Sequence, residues 1–417
     1  MSENNLDRIY EEFGANICLF PFFAAFYQSF GLTRPDSSYT TTSTVVPCSV
    51  YSPPKNNPKN NNLIIDNNII KTINSSEWKD LRKNFIEKSC HDWEQCITCS
   101  NAERGNGNSP RQLNNEYFAD HLEIDIIEEI NQIINNDYQV DKISSLDFFP
   151  SSYCNYECIM CTGGSSTTRL VFENRKEDKR TQQLFKIIPN LLADDFNHIL
   201  KNVKIINFAG GETILQKQVH EVIDYLIDQN LAKDITITLL TNASRYPTKL
   251  LEKFKQFKNV FYTISIDGIG DVIEYQRRGS VWTEVEINSL LIYQNFGAVI
   301  NYVLTAVSVF GVIDFLAWVN KNNIDKLILS LVFYFDHLSL SVIPPEMKNE
   351  LIDKLISQRS QFNGKYLDFL DRVIEALGKA QWKSDLLPKF IEHINNEDTA
   401  SKKLLIDVVP EWRPYFG

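Results

Sequence analysis

From about residue 144 onward, short apolar runs alternate with amphipathic stretches. The runs "SSLDFFP", "VKIINFAG", "DITITLLTN", "NVFYTISIDG", "AVINYVLTAVS" and "KLILSLVF" are rich in Val, Ile, Phe and Thr, and helical text such as "KQVHEVIDYLIDQNLA" lies between them. Branched and aromatic side chains suit a pleated strand. Near-continuous apolar strands separated by helices predict a parallel sheet covered on its outer face. Six such units over residues 144–335 predict an α/β fold, a partial (β/α)6 TIM-like barrel rather than the full eight units.

The pattern ahead of this region is weaker. Residues 1–115 read as irregular: Asn, Pro, Ser and Thr dominate "PDSSYTTTSTVV" and "SPPKNNPKNNNLIIDNN", and only "WKDLRKNFIEK" carries helical periodicity. "YFADHLEIDIIEEINQIINN" predicts a helix that links this segment to the barrel. Beyond the barrel, "PPEMKNELIDKLISQRSQFNGKYLDFLDRVIEALGKA" predicts amphipathic helices with a packing role. The expected division is an N-terminal domain at 1–115, a linking helix at 116–143, the barrel at 144–340 and a helical region at 341–417.

Composition narrows the function. The 417 residues, 43% of them hydrophobic with 26 Phe, can fill the cores of about two to four domains. A formal net charge of −11 argues against a partner bound through nucleic-acid phosphates. The start "MSENNLDRIYEEFGANICLFPFFAAF" places acidic residues before an apolar run broken by Pro21, unlike a secretory leader. No run reaches the ~18 apolar residues of a membrane span. A cytoplasmic protein without membrane or nucleic-acid partners is expected. In a reducing compartment its eight cysteines read as metal ligands or reactive thiols rather than disulfides.

Three of them, Cys154, Cys158 and Cys161 in "SSYCNYECIMCTGG", have the spacing C-x3-C-x2-C and follow the first predicted strand. A cubane iron–sulfur cluster takes four thiolates when the protein supplies every ligand, so three leave one iron open. Zinc is the rival, although its structural sites take four ligands and the loop has no His. The next strands end in "AGGET", "TNAS" and "DGIGDVIEYQRRG". In a barrel of this kind all four loops share the rim where function gathers. Gly210 and Gly211 permit close backbone approach, and Glu212 can accept a hydrogen bond from an ammonium. Ser165 and Ser166 follow the triplet, where they can meet a ligand or cap the next helix. Asn242 ends the third strand with the same two readings. Arg277 offers a fork that matches a carboxylate.

The triplet after a first barrel strand, with Asn155, Tyr156 and Met160 around it, resembles the radical S-adenosylmethionine superfamily. The resemblance implies a [4Fe–4S] cluster whose open iron chelates S-adenosylmethionine. Reductive cleavage then gives a 5′-deoxyadenosyl radical that takes hydrogen from a substrate carbon. It also implies that Gly210, Gly211 and Glu212 hold the methionine amino group, that Ser165 and Asn242 contact the cosubstrate, and that Arg277 meets its carboxylate. An electron donor such as flavodoxin or ferredoxin is the implied partner. Thr213 stands where the family usually has Pro.

Cys96 and Cys99 form a second metal-type pair, C-x2-C. With Cys18 in "CLFPF", Cys48 in "VVPCSV", and then Glu103, Gly105, Ser109, Arg111 and Asn114 or Asn115, the segment resembles an N-terminal twitch (SPASM-like) region. This implies an auxiliary [4Fe–4S] cluster on Cys18, Cys48, Cys96 and Cys99. Cys90 is spare or replaces Cys18, and a four-cysteine zinc site is the rival. The six histidines read as structural or surface residues, and no catalytic acid or base is assigned. The expected activity is radical modification of a peptide or natural product. The alternatives are a dehydrogenase or rearrangement enzyme acting on a sugar or small metabolite, and a non-catalytic iron–sulfur or zinc protein.

Overall fold

The computed structural model describes residues 5–33, 39–48, 69–87, 96–104, 109–173, 194–332, 335–401 and 403–416. Cys90 and Gly105 lie outside them. Two N-terminal strands, β1 (Ala24–Thr33) and β2 (Tyr39–Val46), precede six further ones. These are β3 (Ser145–Phe149), β4 (Ile205–Phe208), β5 (Thr236–Thr241), β6 (Asn259–Ser265), β7 (Gly297–Leu304) and β8 (Leu327–Leu331). Among the described residues they make one sheet in the order β2-β1-β3-β4-β5-β6-β7-β8. The strands β3 to β8 pair parallel with their successors. They are the six apolar runs of the sequence and form the partial (β/α)6 barrel.

The two faces of this sheet differ. Phe148, Ile206, Leu239, Ile264 and Tyr302 alternate onto the outer face and are wholly buried, with the Tyr302 ring 4.5 Å from that of Phe315 in the helix Val312–Lys321. The other face mixes polar residues with Phe261, Val299 and Val303. There Asn207 Nδ2 donates to Asp147 Oδ1 at 2.8 Å, and Ser330 Oγ donates to Asn301 Oδ1 at 2.7 Å. Burial pushes the Asp147 carboxyl up to about 6, against the Asn207 bond, which pulls it down.

The irregular reading of residues 1–115 is corrected by the hairpin of β1 and β2. The first of these runs parallel to β3, from Ala24↔Ser145 to Gln28↔Phe149, and its partner returns antiparallel. "YTTTSTVV" is a β-branched run, and branching favours a strand whatever the polarity. The neighbour that fixes β1 lies some hundred residues away, so no local alternation announces it. Arg82, wholly buried in the helix Ser76–Glu87, ties this region down by donating to the carbonyls of Pro21, Tyr138 and Ile73 at 2.8, 2.7 and 2.6 Å.

The predicted linking helix is two helices, Pro110–His121 and Ile126–Asn135. The break comes where Asp125 caps the second by accepting from the Glu128 amide at 3.1 Å. The helical C-terminal region includes Pro345–Gln358, Gly364–Lys379 and Leu386–Ala400. Among the described residues no helix is long and apolar enough to cross a membrane.

Candidate functional site

The loop after β3 presents Cys154 and Cys158, both buried, and the half-buried Cys161, packed with Tyr156 and Met160. Backbone bonds fix it from two sides. The Glu157 amide donates to the Arg278 carbonyl and that of Ile159 to the Gln276 carbonyl, both at 2.9 Å, while the Cys161 amide closes a turn on the Cys158 carbonyl at 3.1 Å. Ser166 Oγ donates to the Tyr156 carbonyl at 2.9 Å and accepts from the Arg169 amide at 3.3 Å, so it caps the helix Thr167–Glu173 and pins the loop at once. Ser165 stays half-buried in the turn from Thr162.

The burial around these thiols disfavours the thiolate form. Burial pushes Cys154 and Cys161 up to about 12, helped by their neighbouring thiols, and raises Cys158 as well. The Tyr156 amide and Ser166 oppose this at Cys154, and the Arg277 charge opposes it at Cys158. Arg277 Nη1 lies 3.9 Å from Cys158 Sγ, and Asn242 Nδ2 lies 3.9 Å from Cys154 Sγ. A cation shared among the sulfurs would make them ligands, because a metal deprotonates a coordinating thiol.

The "GGE" turn presses directly on this loop. Gly210 and Gly211 have φ of +83° and +40°. A Cβ on Gly211 would stand 2.1 Å from the Tyr153 carbonyl oxygen, and one on Gly210 would stand 2.5 Å from the Phe149 ring. Only glycine permits that approach, and it lets the Glu212 amide donate to the Tyr153 carbonyl at 2.8 Å. The Glu212 carboxyl, wholly buried, accepts from Thr241 Oγ1 at 2.6 Å and from the Asn242 amide at 2.7 Å. Burial pushes it up to about 7. Asn242 also reaches Asn155 Oδ1 at 3.2 Å and turns back to accept from the Ser244 amide at 2.9 Å.

Arg277 already has a partner. It forms a close ion pair with the wholly buried Asp267, 2.6 Å from Nη2 to Oδ2, while Asp267 Oδ1 accepts from the Val303 amide at 2.8 Å. Arg277 Nε is buried without a hydrogen-bond partner among the described residues. A buried guanidinium N–H left unpaired costs desolvation free energy, and an acceptor brought to this rim would recover it. Gly210, Gly211, Glu212, Asn242 and Arg277 therefore surround the cysteine loop, which suits a ligand with amino and carboxylate groups.

Cys48, Cys96 and Cys99 are brought near Cys18. Burial pushes the Cys18 thiol well up, and the thiols of Cys48, Cys96 and Cys99 stand near enough to push it further. The residues read beside them are the clamp. Asn115, wholly buried, accepts from the Leu19 amide at 2.9 Å and donates to the Ile17 carbonyl at 2.8 Å, gripping the backbone on both sides of Cys18. Arg111 donates to the Asn16 carbonyl at 2.9 Å and pairs with Glu103, to which Ser109 also donates at 2.5 Å. Ser109 caps the helix Pro110–His121 through a reciprocal box with Gln112. The Arg111 and Ser109 groups act against the burial that raises Cys99. Among the described residues, no three Cys, His, Asp or Glu side chains close on one point from which a single metal ion could be held.

Sequence reasoning gave the C-terminal helices a packing role and missed their reach into the cysteine loop. His393, which burial holds down at about 4 and so keeps neutral, places Nε2 3.1 Å from the Ile159 carbonyl inside the cysteine loop. Nothing in the local text of the tail signals this contact.

The family model described as the Radical SAM superfamily matches residues 148–303. No curated protein matches the chain. Among solved structures the chain is similar to native anSMEcpe with bound AdoMet, at 17% identity over 55% of this chain and 62% of that chain, with a TM-score of 0.35. It is also similar to Streptococcus suis SuiB bound to precursor peptide SuiA, at 14% identity over 66% of this chain and 61% of that one, TM-score 0.34. A third is TYW1 with a lysine-pyruvate adduct bound, at 14% identity over 55% of this chain and 73% of that one, TM-score 0.31. The chain spans about three fifths of the length of the first two. Residues 148–303, which hold the cysteine triplet, the "GGE" turn and Arg277, form a radical SAM domain, of the superfamily whose enzymes work with a [4Fe–4S] cluster and S-adenosylmethionine.

Proposed function

We propose that Cys154, Cys158 and Cys161 hold that cluster by three corners. In this reading Gly210, Gly211, Glu212, Asn242 and Arg277 receive S-adenosylmethionine at the fourth, with Ser165 at its margin. The observation that carries the reading is the seating of the glycine turn on the cysteine loop, with a guanidinium and an amide each within 3.9 Å of a sulfur. When bound, the pair supplies a carbon radical able to take hydrogen from a substrate. The chain's own part is to aim three thiols, exclude water around them and balance their charge. Cys18, Cys48, Cys96 and Cys99 hold an auxiliary cluster in this proposal.

The reaction is hydrogen abstraction leading to oxidation, cross-linking or epimerisation of a peptide or natural product. The polar groups on the inner face of the sheet, Asp147, Asn207 and Asn301 among them, support a substrate that offers hydrogen-bonding groups. Anaerobic reconstitution followed by iron and sulfide counting, then a 5′-deoxyadenosine assay with dithionite, tests the whole. About eight irons and steady deoxyadenosine formation are expected. One zinc and intact S-adenosylmethionine would sink the proposal.

A further inference from the structure

The helix Leu386–Ala400 carries a buried stripe of Leu386, Phe390 and Ile394, and the next position on that stripe is Glu397. An apolar residue would continue the pattern. Instead a carboxylate stands there at 1% exposure, a placement that costs several kcal/mol of desolvation unless it is well paired. It is held by two arginines. Arg169 Nη2 lies 2.6 Å from Oε1, and Arg278 Nη2 lies 3.1 Å from Oε2 in an ion pair without hydrogen-bond alignment. Arg278 also donates to the Glu397 carbonyl at 3.2 Å. The Phe172 ring lies 4.6 Å from one guanidinium carbon and 4.3 Å from the other.

Arg278 carries this contact into the cysteine loop. Its Nε lies 3.0 Å from Glu157 Oε2, and its carbonyl takes the Glu157 amide. Glu157 immediately precedes Cys158. On the other side of that cysteine, His393 of the same helix holds the Ile159 carbonyl at 3.1 Å. The tail helix thus grips both neighbours of Cys158, and among the described residues Glu397 and Glu157 face the guanidinium groups of Arg169 and Arg278. A buried ion pair is seldom the most stabilising filling for a core position. Its use here is better explained by orientation and charge.

We infer that the helix Leu386–Ala400 belongs to the cluster machinery, with Glu397 as a positioning residue that orients the cysteine loop and sets the net charge around it. This rests on the cluster reading of the triplet. Removing the Glu397 charge leaves one excess positive charge in a poorly screened interior. That charge favours the cluster state with one more electron, since net charge and surroundings tune such potentials.

The test is a redox titration of the full reconstituted chain, followed by the electron paramagnetic resonance signal that S-adenosylmethionine perturbs. Glu397→Gln is expected to keep its iron and raise the reduced-to-oxidised ratio at fixed potential by roughly tenfold, a unit charge acting across about 10 Å at an effective dielectric near 20. Glu397→Asp keeps the charge and is expected to hold iron at the wild-type potential. An unchanged potential in Glu397→Gln with only a lower melting temperature would overturn the inference, as would equal shifts in both variants. A wild-type chain with no cosubstrate-responsive signal would overturn the reading of the triplet as well.

Discussion

The two groups of thiols in this chain are built in opposite ways. Cys154, Cys158 and Cys161 come from one short loop after β3, closed by its own turn and by backbone bonds to Gln276 and Arg278, at and just past the end of the helix Asp271–Gln276. Cys18, Cys48, Cys96 and Cys99 come from separated segments, and the backbone around Cys18 is held by Asn115 and Arg111 from farther along the chain. A short loop loses little additional entropy when its ends are brought together, whereas distant segments need tertiary contacts to offset the larger closure cost. The barrel group should therefore tolerate loss of its neighbours better than the N-terminal group tolerates loss of its clamp.

The largest test of that contrast exchanges the cysteines. Cys158→Ala should abolish deoxyadenosine formation and remove about half the iron. Cys99→Ala should remove the other half while the cosubstrate-responsive signal at the barrel persists. Loss of both signals from either variant would mean that the groups are not independent. Iron counts and paramagnetic resonance on the same samples decide it.

A smaller effect is expected at the clamp. Asn115→Ala leaves the Leu19 amide and the Ile17 carbonyl unpaired in a buried place, which should cost about 2–4 kcal/mol. Denaturant unfolding of the metal-free chain measures it. The N-terminal iron should fall with it and the barrel iron should not.

The smallest effect probes the seam between the regions, where Asp147 of β3 stands in register with Phe26 of β1. Its proton is held more tightly in the folded state, at about 6 against the ordinary 3.8. The stability it contributes is complete below 3.8 and is lost as pH rises through about 6. Asp147→Asn lacks this loss. In the metal-free protein its stability relative to wild type should therefore grow by about 2 kcal/mol between pH 4 and pH 8. A flat difference across that range would show that the carboxyl is well solvated.

The barrel was legible because its strands are written in contiguous apolar runs. "VKIINFAG" and "DITITLLTN" each contain one strand and the loop that follows it, so the "GGE" turn and Asn242 could be placed on the rim from the text alone. The hairpin of β1 and β2 was not legible. "YTTTSTVV" is polar by composition, and the parallel partner of β1 is set by Ser145–Phe149 far along the chain. The seating of Gly211 against Tyr153, the pairing of Arg277 with Asp267 and the reach of His393 to Ile159 join residues from different units. Such contacts have no period.

What the sequence determined by itself was the six-unit α/β alternation, the triplet and its spacing, and the glycines on which the next turn depends. These rest on short-range sterics and periodicity, which act over a few residues. Tertiary structure alone decided that four distant cysteines stand together, that an N-terminal hairpin extends the sheet, and that a carboxylate from the tail balances arginines beside the cysteine loop. Burial makes unpaired charge and unmet hydrogen bonds costly, so it selects partners by proximity in space, whatever their separation along the chain.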